Sequence, residues 1–154
     1  MSCRFVIAAL FGSALLFRDA ATLAESPADA LAQVGLLGRW SHDCSRPVMG
    51  INPYVVIERV AGGTGAQYRH DFGSAGSVLM AVDNVRVLAP ATFAMRVSTL
   101  AGDKDPMSHE LVIRIEGDRY RTMSSVGTDG KVRIRDGILV ASGNPSPWNY
   151  RCGN

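Results

Sequence analysis

Residues 109–118, His-Glu-Leu-Val-Ile-Arg-Ile-Glu-Gly-Asp, decide the fold. Leu111, Ile113 and Ile115 alternate with Arg114 and Glu116, and Gly117-Asp118 closes the run with a turn pair. Successive side chains of a strand point to opposite faces, so this pattern puts an apolar row on a core and a charged row in water. The same alternation recurs at Val132 and Ile134 against Lys131, Arg133 and Arg135, and at Phe93, Met95 and Val97 against Arg96 and Ser98.

Working outward, short runs rich in Val, Ile, Tyr and Thr continue from Leu36 to the end of the chain, punctuated about every 8 to 12 residues by turn signals. These are Gly62 to Gly65, Gly73 to Gly76, Asp83-Asn84, Pro90, Gly102 to Pro106, Gly117-Asp118, Asp129-Gly130, Asp136-Gly137 and Gly143 to Pro147. The connections are too short for parallel crossovers, so eight to ten strands are expected in an antiparallel meander, either a small β-barrel or a β-sandwich. The class is all-β, with one domain over residues 36–154. Before it, Ser26-Pro27-Ala28-Asp29 reads as a capped helix start, with proline at the first helical position and an acid in the first turn; a short helix over 25–35 should stop at Gly35.

Residues 1–24 read as a signal peptide. Met1 to Arg4 carries one positive charge, Phe5 to Phe17 is an apolar run too short to span a bilayer, and Thr22 and Ala24 place cleavage before Glu25. Cys3 precedes the apolar run, where no lipid anchor attaches, and leaves with the leader. Cys44 and Cys152 remain and are expected to pair in an oxidising compartment, periplasmic or extracellular. Closing so long a loop contributes on the order of 4 kcal/mol. The mature protein is expected to be a monomer without stable membrane insertion.

Gly38-Arg39-Trp40 on the first strand, together with Arg151 near the end, resembles the G-x-W signature of lipocalins and related calycin barrels. The resemblance implies an early tryptophan packed at the closed end of a barrel beneath a late arginine, so Trp40 and Arg151 would seal the floor. It also implies a small-ligand carrier, with a cavity lined by residues such as Val55, Ile57, Phe93 and Met95. The chain departs from the family in lacking a T-D-Y motif, and about 118 residues make a small barrel. Small exported inhibitors of proteinases and lysozymes share such barrels.

No residue set signals catalysis. The three histidines each precede an acid (His42-Asp43, His70-Asp71, His109-Glu110), but neighbours on a strand face opposite ways, and spacings of 28 and 39 residues match no metal motif. They read as solvated polar residues. No serine sits in a G-x-S-x-G elbow, and the glycine-rich stretches Gly62 to Gly65 and Gly127 to Lys131 lack the residues of a phosphate loop and read as hairpin turns. Without Arg4, Arg18 and Asp19 of the leader, 14 basic residues face 13 acidic ones, which calls for no nucleic acid. The late arginines (Arg114, Arg119, Arg121, Arg133, Arg135) read as a solvated face.

Trp148 and Tyr150 in the tail 145–152 have two readings: an exposed interaction site, or, preferred, completion of the core once the disulfide pins the tail. The expected function is therefore a non-enzymatic exported binding protein without cofactor or metal. A small-ligand carrier is placed first, and a protein-binding module, such as an inhibitor of an exported hydrolase or an envelope accessory, second.

Overall fold

The computed structural model describes residues 26–100 and 107–153. Residues 1–25, which hold the expected leader and cleavage site, residue 154 and the whole of the expected Gly102 to Pro106 turn lie outside the described residues. Helix α1 (Pro27–Gln33) is followed by strands β1 (Gly38–Ser41), β2 (Tyr54–Arg59), β3 (Ala66–Asp71), β4 (Ser77–Ala89), β5 (Thr92–Thr99), β6 (Ser108–Glu116), β7 (Arg119–Gly127), β8 (Val132–Arg135), β9 (Ile138–Leu139) and β10 (Asn149–Cys152). The strands pair in antiparallel sequence order from β1 to β9, and β10 pairs with both β1 and β7. That double pairing closes β1 to β7 and β10 into an eight-stranded barrel, deciding between barrel and sandwich.

Among the described residues the turn signals fall where expected, with one exception. Asp83 and Asn84 lie inside the long strand β4, where the register against β5 shifts between Val82 and Asn84. A bulge places an extra residue in one strand and bends it; polar turn formers serve this purpose as readily as a reversal. The glycine-rich segments at 62–65 and 127–131 are hairpin connections.

Alternate hairpins lie at opposite ends of a meander, so the barrel has a base (turns 60–65, 90–91 and 117–118) and a mouth (connections 42–53, 72–76, 100–107 and 128–131). The base is plugged. Ser26 caps α1 by accepting from the Asp29 amide, and the helix sends fully buried Ala28 and Leu31 into the core beside Leu36. Arg59 holds the helix from the β2 end through an ion pair with Asp29 (2.7 Å). Behind the plug, Trp40 is completely buried, donates its indole N–H to the Leu36 carbonyl (2.9 Å) and meets Tyr120 edge to face at 5.0 Å. Arg151 lies over Trp40 at 4.1 Å from the ring centroid and donates to the carbonyls of Leu37 and Gly35. The G of the motif has a role of its own: Gly38 has φ +136°, and a Cβ there would lie 2.9 Å from the Arg151 guanidinium.

Cys44 and Cys152 form the disulfide, with Cα atoms 5.3 Å apart and a sequence separation of 108. It ties the loop 42–53 to β10, the strand that closes the barrel. Opening it by a Cys44→Ser, Cys152→Ser double substitution should lower the stability to urea unfolding by about 4 kcal/mol, the order expected when a loop of about 100 residues is released.

Candidate functional site

Residues that alternate inward along the strands fill the lower barrel. Val55 and Ile57 from β2, Phe93 and Met95 from β5, and Ile113 from β6 are all buried in one cluster with Trp40 and Tyr120. The four residues expected to line a ligand cavity therefore form packed core. A cavity of about 210 Å³ lies higher, at the mouth, where side chains from β3 to β8 leave space. Met80, Val97, Leu111 and Ile134 form its apolar walls, and Tyr68, His70, His109, Thr122 and Ser125 its polar positions. None of these carries a full-time charge.

The histidines are placed by register. Val97 pairs with His109 and Met95 with Leu111, so His109 continues the inward row Ile113, Leu111 toward the mouth. On β3, Tyr68 and His70 follow Ala66 on the same face. The His70 ring lies 5.1 Å from Tyr68 and 5.9 Å from Phe72, and its Nε2 shares a hydrogen bond of 2.9 Å with the Tyr68 hydroxyl. His70 and His109 are thus half-buried cavity residues rather than solvated ones. Only His42 is exposed, with its Nδ1 3.4 Å from the Trp148 carbonyl oxygen. Among the described residues no three or more His, Cys, Asp or Glu side chains form a group that could hold a metal ion.

Burial sets the electrostatics. It pushes the Tyr68 phenol up to about 12 and the Tyr120 phenol well above its usual value, so both stay protonated. Burial also holds His70 below the ordinary imidazole value; for His109 burial comes first and the charge of Arg133 second, with Asp129 opposing. Both imidazoles are therefore neutral at pH 7. His109 Nδ1 is sealed from solvent without a hydrogen-bond partner, and the sealed Tyr120 hydroxyl has the Tyr68 hydroxyl as its polar neighbour. Such groups are rare in folded proteins, and each needs a reason.

The tail does not complete the core. Trp148 is half-buried on the outside of the barrel, where Arg119 and Arg121 lie 4.2 and 5.1 Å from its ring centroid, and Tyr150 is 43% exposed. Trp40 and Tyr120 already fill the floor, which leaves no interior space for two more large rings. Among the described residues no helix is long and apolar enough to cross a membrane. Comparisons with protein families, with curated proteins and with solved structures found no match.

Two outcomes test this description. An imidazole whose folded value is depressed binds its proton first in the unfolded chain, so stability should fall as pH drops from about 6.5 toward the lower folded values. Urea midpoints measured between pH 7 and 5 should decline, and His70→Gln should flatten the decline. Tyr120→Phe, which removes a sealed hydroxyl whose polar neighbour is the Tyr68 hydroxyl, should change the stability to urea by no more than about 1 kcal/mol.

Proposed function

We propose that this protein binds a small, uncharged, largely apolar ligand in the mouth of its barrel, acting as a carrier or sensor rather than an enzyme. The observation that carries the reading is the mouth cavity itself, apolar on its walls and bordered by the His109 ring and the hydrogen-bonded His70–Tyr68 pair. Eight-stranded barrels are just wide enough to fill with side chains or to hold one small ligand, and this barrel divides the two roles between base and mouth.

Size and polarity narrow the ligand class. A cavity of about 150 Å³ can hold benzene, so about 210 Å³ suits one substituted ring or a short branched chain. A buried carboxylate or ammonium needs a charged partner, and the lining has no Lys, Arg, Asp or Glu to supply one. A single hydroxyl or carbonyl can instead meet His109 or the His70–Tyr68 pair. The exposed apolar residues Val78, Leu100 and Met107 flank the mouth connections, which suits entry of an apolar molecule. The disulfide supports an oxidising setting, periplasmic or extracellular, and with it the reading of residues 1–24 as an export signal.

The test is titration of the oxidised chain with toluene, p-cresol and p-toluate, followed by NMR of the His70 and His109 rings. p-Cresol should bind saturably, toluene more weakly and p-toluate not at all. Val97→Trp, which fills the cavity, should abolish p-cresol binding without unfolding the barrel. If none of the three perturbs either ring, and the protein purified from a bacterial periplasm shows only its bare mass, the carrier reading fails.

A further inference from the structure

Arg114 on β6 and Arg121 on β7 stand directly opposite each other on the outer face of the barrel. Like charges in that position repel. Glu116 lies between Arg114 and Arg119 and ion-pairs with both, at 3.0 Å each. Arg121 is left over: among the described residues it has no carboxylate within ion-pair distance and makes no hydrogen bond, and its Nε is sealed from solvent. A guanidinium offers five N–H donors in a planar fork, and here none is used.

Packing nevertheless fixes this fork in place. Trp148 lies against it, and on its other flank Gly137, with φ +74°, has no side chain where a Cβ would sit 3.3 Å from the Arg121 Cζ. Tyr150, largely in solvent, pairs in register with Arg119 and extends the patch along β10. The arrangement is a held guanidinium with unused donors, covered on one side by the Trp148 ring.

We infer that the outer face of β6, β7 and β10 is a docking surface for an acidic segment of a partner protein, with a carboxylate seated on Arg121 beside an apolar contact on Trp148. This is independent of the mouth cavity, which opens inside the barrel. Charge and composition select a protein as the partner. A nucleic acid or anionic membrane is held by a broad positive field, whereas this chain carries a formal charge of only +2 and two lysines, and Glu116 lies within the patch. The bidentate fork of an arginine matches a carboxylate, and Trp, Tyr and Arg are the residues that anchor protein interfaces.

The experiment is an NMR titration of the full oxidised chain with the blocked peptide Glu-Glu-Phe-Glu-Glu. The Trp148 indole and Arg121 Nε–H signals should shift saturably while the buried Trp40 indole stays put, which also reports an intact fold. Arg121→Gln should weaken binding about tenfold, and Trp148→Leu should do so if the first variant does not fold. Arg69→Gln, on β3 at the opposite side of the barrel, should have no effect. The inference is overturned if the shifts do not saturate, if Arg121→Gln binds as tightly as the parent, or if inorganic phosphate or phosphatidylglycerol vesicles compete as well as the peptide.

Discussion

Closure of the barrel depends on β10, a four-residue strand hydrogen-bonded along one edge to β1 and along the other to β7. Four residues offer few ladder bonds, and a strand this short would be weakly held by its ladder alone. Three contacts outside the ladder hold it. Cys152 is bonded to Cys44, the Arg151 side chain reaches across the base onto Trp40 and the carbonyls of Gly35 and Leu37, and the Arg151 amide donates to the Asp118 carbonyl (2.8 Å). Without them the meander would be an open sheet with two edges; with them it has an inside, and therefore a base and a mouth.

The two ends then differ in how their polar groups are satisfied. At the base nearly every donor has a partner: the Trp40 indole, the Arg151 fork and the helix N-terminus are all bonded to the chain. A satisfied, close-packed end resists change. At the mouth the apolar rows give way to Tyr68, His70, His109, Thr122 and Ser125, and one imidazole nitrogen is left without a partner. Leaving a buried polar atom unpaired costs about 1–3 kcal/mol, so the mouth is the less stabilised end of the barrel.

Much of the fold was legible in the sequence because period-2 alternation reads directly as a half-buried strand. Leu111, Ile113 and Ile115 gave β6 its inward row, and Gly117-Asp118 gave the following turn. The Gly38-Arg39-Trp40 motif with Arg151 gave the floor, and Cys44 with Cys152 gave the clamp. Asp83-Asn84 misled because a bulge and a turn use the same polar residues. The candidate site was less legible. Alternation says which residues face inward but not how far up the barrel the interior stays filled, so Val55, Ile57, Phe93 and Met95 were indistinguishable from lining residues. His70 and His109 looked solvated because each adjoins an acid. Their neighbours were the signal: each lies two residues along a strand from an inward apolar or aromatic position, Tyr68 in one case and Leu111 in the other.

Trp148 shows the same limit from the outside. A tryptophan, a tyrosine and two prolines beside a disulfide satisfy the pattern of a buried tail equally well. What excludes them from the core is volume: the barrel interior at that level already holds Trp40 and Tyr120 in edge-to-face contact, and an eight-stranded barrel has no room for a second such pair. Trp148 therefore finds its contacts on the outer wall, where its ring meets Arg119 and Arg121 of β7. The late arginines, read as a solvated face, are mostly that; Arg121 differs because the indole and the bare backbone of Gly137 confine it. A side chain that would otherwise sweep freely through water is held in one orientation with its hydrogen-bonding edge unused, and that converts an ordinary surface charge into a directed one.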